Sequence, residues 1–184
     1  GMSVDHIIFE YDKRFDTDGD FDDNYKVTEK MQKRYDITIN NAKEFLKECA
    51  KQKVHFHPIG VIQAWSPNSM KRAASELIDM GYTYIAIGGL VPLDINSCEE
   101  IVKSVRDEIG YDIKIHLLGF AKAKQLDRFI KYKITSFDST SPLIRAFKDE
   151  KDNYYTPKDH YTAIRIPSSQ KTPALKRKVS SGLI

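Results

Sequence analysis

The sequence has little cysteine and none of the short motifs that mark common metal and nucleotide sites. Its two cysteines, Cys49 and Cys98, are too few for a disulfide framework and form no Cys-x-x-Cys pair. Both fall at apolar positions of predicted helices, so we expect them to be small buried hydrophobic residues. The sequence has no Gly-x-Gly-x-x-Gly, no P-loop and no His-Glu-x-x-His. It therefore predicts no metal site, no nucleotide hydrolysis and no cofactor.

Long apolar runs are also absent. No stretch approaches the roughly 18 to 20 consecutive apolar residues that cross a bilayer, and the N-terminus lacks the basic-then-apolar pattern of a secretion signal. With 41% hydrophobic and 30% charged residues, the 184-residue chain has enough apolar material for one packed domain. We therefore expect a soluble, cytoplasmic protein that has no membrane partner.

The small net charge of +3 is unevenly distributed along the chain. Residues 1–23 carry eight acidic and two basic side chains, whereas residues 158–184 carry six basic side chains and one acidic one. A basic end can follow the phosphates of a nucleic acid, although a solvated tail has the same composition. We predict a folded domain over residues 1–166 and a basic C-terminal tail over residues 167–184.

Short β-rich runs alternate with helical periodicities, a pattern typical of a parallel sheet with crossover helices. The predicted strands are 6–9, 54–62, 84–87, 113–118 and 134–137. Ser66 followed by Pro67 predicts the start of one helix, and Ser97 with Glu100 predicts a capping box at the start of another. The repeat length fits an open doubly wound sheet or part of a (β/α)₈ barrel, and periodicity does not choose between them.

A set of polar and glycine residues follows the C-terminal ends of the predicted strands. In chain order they are Gln63, Gly88, Gly89, Gly119 and Asp138. Parallel α/β folds bind their ligands at this rim. Simpler explanations exist: the diglycine can be a tight turn, and Asp138 can cap a helix that begins near Pro142. Their coincidence at one rim favours a site that binds a flat polar ligand beside a carboxylate.

Several segments resemble the tRNA-guanine transglycosylase family, which includes the queuine and archaeosine tRNA-ribosyltransferases. They occur in the family's order and near its spacing, within about residues 54–156. The similar segments are 58–63, 81–90, 116–119, 136–141, 145–149 and 154–156, which include Gly-Gly-Leu, His-Leu-Leu-Gly and Ser-Phe-Asp-Ser-Thr-Ser. The downstream segments look closer to the archaeal-type and DNA-modifying branches than to the bacterial queuine-pathway enzymes.

The resemblance implies a (β/α)₈ barrel and a pentosyltransferase that replaces a guanine in tRNA or DNA with a 7-deazaguanine. Asp138 matches the family's nucleophilic aspartate, which holds the sugar as a covalent intermediate. Gln63 matches a residue that hydrogen-bonds the base. Gly88, Gly89 and Leu90 match the backbone segment that reads the edge of the base.

Three further residues complete the predicted substrate-binding set. Gly119 ends one of the family-like segments at the same rim. The family also uses a base-recognising aspartate, for which Glu10 or Asp12 could substitute, although both could be solvated loop acids. Trp65, close to Gln63, is either a stacking platform for the base or a core residue.

The chain departs from the family in length. About five β/α units cannot close an eight-stranded barrel, and two strand edges would stay open. We therefore expect a partial or truncated TIM-barrel-like fold with about five parallel strands. Its open edge is covered by a second copy of the chain, by a partner subunit, or by the acidic loop 12–23 and the C-terminal segment of the same chain. Two alternatives to the enzyme remain. One is a non-catalytic half-barrel or nucleic-acid-binding module that pairs with a catalytic partner, and the other is an unrelated small-molecule enzyme on an open α/β sheet.

Overall fold

A computed structural model of the chain describes residues 1–17, 23–120, 122–148, 154–155 and 159–162. The chain divides into two compact units, Gly1–Ser139 and Thr140–Ile184. The tail predicted at residues 167–184 lies outside the described residues.

A parallel sheet of four strands forms the centre of the first unit. The strands are β1 (Gly60–Ile62), β2 (Tyr84–Ile87), β3 (Lys114–Leu117) and β4 (Ser136–Phe137). Each pairs in parallel with the next along the chain, in the order β1-β2-β3-β4. A doubly wound sheet reverses its strand order, so this sequential order is compatible with part of a (β/α)₈ barrel. The predicted α/β class is confirmed, and within the described ranges this parallel sheet has four strands and does not close into a barrel.

The N-terminal segment extends the sheet at a different place from the one predicted. Met2 forms a parallel bridge with Ile59, just before β1, and the N–H of Ser3 donates to the carbonyl of Ile59 at 3.0 Å. The strand predicted at 6–9 does not form, so that prediction is wrong.

Side chains of the first helix explain this difference. Helix α1 (Glu29–Gln52) lies beside the N-terminal segment. The Oγ1 atom of Thr38 accepts the N–H of His6 at 2.9 Å, and Arg34 donates to the carbonyl of Ile7. Because these backbone groups already have partners on α1, they are not available to a strand ladder.

Two further helices connect the strands. Ser66 and Ser69 form a capping box at the start of α2 (Pro67–Asp79), with the proline in the first turn, as predicted. Helix α3 (Ile95–Ile109) begins earlier than predicted, because Asp94 is its N-cap. The side chain of Asp94 accepts the N–H groups of Asn96 and Ser97, and an aspartate is a strong N-cap. A 3-10 helix (Ala123–Tyr132) precedes β4.

The sheet and its helices share one apolar core. Alternate strand residues, Ile62, Ile85, Ile87, Ile115 and Leu117, share this core with the helix residues Leu77, Ile101, Val102, Val105 and Phe129. The two cysteines are buried, as predicted, and Trp65 lies in the core at 4% exposure. The remaining strand residues face the opposite side of the sheet, where the candidate site lies.

The second unit contains helix α4 (Ser141–Lys148) and an antiparallel pair of short strands, β5 (Tyr154–Tyr155) and β6 (His160–Tyr161). Within the described ranges, no helix combines the length and the apolar character that a membrane span requires.

A buried arginine joins three segments behind the sheet. Arg106, 1% exposed, donates from Nε to the carbonyl of Tyr132 at 2.9 Å and from Nη1 to the carbonyl of Ile113 at 2.8 Å. It also reaches the carbonyls of Gly110 and Lys133. One guanidinium thus ties the end of α3, the approach to β3 and the end of the 3-10 helix together.

We predict that Arg106→Leu lowers the free energy of unfolding by about 2–4 kcal/mol, because the buried guanidinium and its hydrogen bonds to four carbonyls are lost. Urea denaturation measures this. The matched control is Lys103→Leu on the same helix, where an exposed pair with Asp107 is removed and a change below about 0.5 kcal/mol is expected. Equal losses of unfolding free energy in the two variants would contradict the role of Arg106 in joining these three segments.

Candidate active site

The register of the sheet places three of the predicted residues in one row. Ile62 pairs with Ile87, and Leu117 pairs with both Ile87 and Phe137. One residue further along each strand, the row therefore reads Gln63, Gly88, Leu118 and Asp138. The N–H groups of the last three donate to the preceding residue of the neighbouring strand, at 3.0, 3.0 and 3.3 Å. The row continues the ladder beyond the strand ends.

Asp138 carries a half-exposed carboxylate, with 52% of its side chain accessible. Its Oδ1 atom lies 3.0 Å from Nε2 of His116 and accepts the backbone N–H of Gly119 at 3.0 Å. Helix α4 begins at Ser141, after Thr140, whose carbonyl accepts the N–H of Ile144. The side-chain bonds of Asp138 go to β3 and to the turn after it, and Asp138 is not the residue that immediately precedes the helix.

A line of hydrogen bonds runs from Asp138 down the sheet. His116 is 7% exposed, and its Nδ1 lies 2.6 Å from Oγ of Ser136. The same Oγ lies 2.5 Å from the hydroxyl of Tyr84. His116 and Ser136 pair across β3 and β4, two residues before the row that holds Asp138. Because strand side chains alternate between faces, both lie on the same face as Asp138.

Gln63 lies at the other end of the row and is buried, at 3% exposure. Its Nε2 donates to Oδ2 of Asp5 at 2.6 Å, and its Oε1 has no hydrogen-bond partner among the described residues. The amide rests on the diglycine: a Cβ on Gly88 would lie 2.2 Å from Nε2, and one on Gly89 would lie 3.0 Å from Oε1. Only glycine at position 88 leaves room for this amide.

An unpaired buried acceptor is costly, at about 1–3 kcal/mol. Because Asp5 accepts from Nε2, the orientation of the amide is fixed and Oε1 is the atom left without a donor.

The other predicted residues have different surroundings. Gly119 has φ +64° and uses its N–H on Asp138. Leu90 is fully buried, and its carbonyl accepts from Lys122 at 3.2 Å. Glu10 is exposed, in the N-terminal segment outside the sheet.

Asp12 forms a bidentate pair with Arg14, at 2.9 and 2.6 Å, and caps a short 3-10 helix (Lys13–Asp16). These hydrogen bonds from Arg14 lower the pKa of Asp12 to about 2. The carboxylate therefore stays ionised at neutral pH and can only accept hydrogen bonds. The backbone N–H of Asp12 donates to the carbonyl of Trp65 at 2.9 Å, which places Asp12 near the end of β1.

Sequence reasoning did not assign Asp5, His116, Ser136 or Tyr84 to the site. Period-two alternation backward from Asp138 leads to Ser136, and backward from Leu118 to His116. Asp5 lies in the irregular N-terminal segment, 58 residues before Gln63. The sequence carries no local signal for a contact between them. Among the described residues, no group of three or more His, Cys, Asp or Glu side chains could hold a metal ion.

The two ends of the row are three strand spacings apart. Three steps between neighbouring strands, at about 4.8 Å each, separate the ends of β1 and β4 by roughly 14 Å. Gln63 extends over β2 and Asp138 projects from β4, so their functional atoms lie closer together than the backbones. The arrangement combines a half-exposed carboxylate at one end with a buried amide at the other.

One curated protein resembles the whole chain. It is named DNA-guanine transglycosylase, from Salmonella montevideo, and is 39% identical over 185 aligned residues. The alignment takes in all of this chain and 43% of the relative, so the chain spans less than half of that protein's length. No protein-family model matches the chain.

We predict that Gly88→Ala destabilises the fold by about 1–3 kcal/mol, because the new methyl group displaces the Gln63 amide from Asp5. The control is the same substitution in a Gln63→Ala background, where the steric conflict is gone. In a double-mutant cycle from urea denaturation, most of the cost should then disappear. A cost that persists in the Gln63→Ala background would show that the backbone, and not Gln63, requires glycine.

Proposed function

Because the chain is related to the tRNA-guanine transglycosylase family, we propose that it exchanges guanine in DNA for a 7-deazaguanine, with Asp138 as the nucleophile. The relative's name supports guanine and DNA as the substrates. The motif order supports base exchange. The observation that carries the proposal is the placement of a half-exposed carboxylate, held through one oxygen, in the same row as Gln63 and the diglycine.

The chemistry is a double displacement at the sugar. An oxygen of Asp138 attacks C1′ of the target nucleotide, and the electron pair of the C1′–N9 bond leaves with guanine, which takes up a proton. The incoming base loses a proton from its ring nitrogen and attacks C1′, and Asp138 departs as a carboxylate. The proton released by one base balances the proton taken up by the other. Two inversions retain the configuration, as in retaining glycosidases.

Base recognition falls to the other end of the row. Reaching C1′ requires the guanine to leave its stack and enter the site. Gln63 would hydrogen-bond the edge of the base, and Gly88 and Gly89 leave the room that its amide needs. Asp138 would then lie on the sugar side of the nucleotide. Asp12 and Glu10 are candidate contacts to the base.

The second candidate is a non-catalytic half-barrel that pairs with a catalytic partner. One observation favours it. Strand β4 pairs with no further strand among the described residues, and a groove of about 540 Å³ runs along this edge. Leu126, Phe129, Ile130, Ile134 and Phe137 are among the residues that line it. A second copy of the chain or a partner subunit could supply the missing wall.

The proposal is tested by looking for the covalent intermediate between Asp138 and the sugar. We predict that the chain, incubated with guanine-containing single-stranded DNA, forms an adduct that survives denaturation, and that Asp138→Asn lowers its formation at least about 10³-fold because the amide is a poor nucleophile. Gel electrophoresis of radiolabelled DNA measures the adduct. The control is Asp112→Asn, an exposed acid before β3 at the opposite end of the sheet.

The results separate the candidates. Equal adduct in wild type and Asp138→Asn would remove the nucleophile assignment. If the adduct forms with tRNA but not with DNA, the nucleic-acid substrate is tRNA and the proposal of DNA is wrong. Sedimentation velocity gives the oligomeric state of the chain. If neither the monomer nor a homo-oligomer forms the adduct, the result favours the non-catalytic subunit.

A further inference from the structure

The proposed function does not use the hydrogen bonds that run from Asp138 through His116 and Ser136 to Tyr84. We propose that His116 is a positioning residue that holds Oδ1 of Asp138, so that Oδ2 is the oxygen that attacks C1′. This inference rests on the proposed function, because it assigns the two oxygens of the same nucleophile.

The two carboxylate oxygens of Asp138 have different contacts. Oδ1 meets both Nε2 of His116 and the N–H of Gly119, each at 3.0 Å. Oδ2 accepts no hydrogen bond from a described residue. Two donors that converge on one oxygen fix the carboxylate's rotation, and they leave the other oxygen's lone pairs directed away from the anchor.

The line of hydrogen bonds gives each nitrogen of a neutral His116 ring one role. An ionised carboxylate only accepts, so Nε2 donates to Asp138. In the neutral ring Nδ1 then accepts, and its neighbour is the hydroxyl of Ser136 at 2.6 Å. With its proton given to His116, Ser136 accepts from the hydroxyl of Tyr84 at 2.5 Å. The donors therefore run in one direction, from Tyr84 to Asp138.

The surroundings of His116 make this support rigid. Its ring is 7% exposed and projects from β3, whose partners on both sides are strands of the sheet. Ser136 and Tyr84 lie on those two neighbouring strands, β4 and β2. A buried hydrogen bond on a regular strand holds its acceptor more precisely than one on an exposed loop.

The assignment has a chemical consequence for the covalent intermediate. When Oδ2 bonds to C1′, Oδ1 becomes the carbonyl oxygen of an ester and loses most of its negative charge. A hydrogen bond from His116 is stronger to the carboxylate than to the ester. His116 therefore favours release of the aspartate in the second displacement, and its removal should shift the equilibrium towards the adduct.

The experiment measures the fraction of chain held as adduct at equilibrium with guanine and guanine-containing DNA. His116→Phe keeps a flat ring but removes the donor, and we expect the ratio of adduct to free chain to rise about tenfold. His116→Gln places an amide donor near the position of Nε2 and should restore the wild-type ratio within about threefold. A purely structural role would lower total activity in both variants and leave this ratio unchanged.

An unchanged or lower ratio in His116→Phe, or no recovery in His116→Gln, would overturn the proposal. If His116→Phe does not fold, Ser136→Ala replaces it, with a smaller rise expected because only the support of Nδ1 is lost.

A second measurement does not depend on turnover. The ¹⁵N resonances of labelled histidine in the wild-type chain should show His116 protonated at Nε2 and not at Nδ1, and Asp138→Asn should shift the amide resonance of Gly119. Protonation at Nδ1 alone would contradict the positioning role even if the adduct forms. If the wild type forms no adduct but these signals appear, the proposed function fails and the positioning of Asp138 stands.

Discussion

Parallel pairing in register is the constraint on which the site depends. In a parallel sheet all strands end at the same edge, and alternation sends every second side chain to the same face. A shift of β4 by one residue would turn Asp138 to the helical face and bring Phe137 into its place. Apolar residues hold this register, since Ile62, Ile87 and Leu117 occupy the helical face one residue before the row.

The two ends of the row have opposite environments. At β1 the amide of Gln63 is buried, with one bond to Asp5 and an unpaired oxygen against the diglycine. At β4 the carboxylate of Asp138 is half exposed and anchored by one oxygen. Under the proposed function, base recognition and bond formation therefore fall to different strands of the sheet.

Much of the arrangement could be predicted from local patterns. Strand-end positions led to Gln63, the diglycine, Gly119 and Asp138, because a run of β-branched residues that ends at a glycine or a polar residue is a local feature of the sequence. The helix at Ser66 was equally local, since its capping box lies within four residues.

The failures have a common physical cause, which is competition from distant groups. Residues 6–9 have the composition of a strand, but Thr38 and Arg34 of α1 take their backbone groups. The bond from Gln63 to Asp5 and the bidentate pair of Asp12 with Arg14 depend on where irregular segments lie in the fold. His116 was overlooked for a different reason: a histidine inside a strand reads as a core residue until its neighbours across the sheet are known.

The most direct test is a crystal structure of the chain trapped on guanine-containing DNA. The account predicts a covalent bond from Oδ2 of Asp138 to C1′ of the sugar, with Oδ1 still in contact with His116 and Gly119 and with the base edge at Gln63. A bond to C1′ from any other carboxylate, or a base bound away from Gln63 and the diglycine, would contradict it.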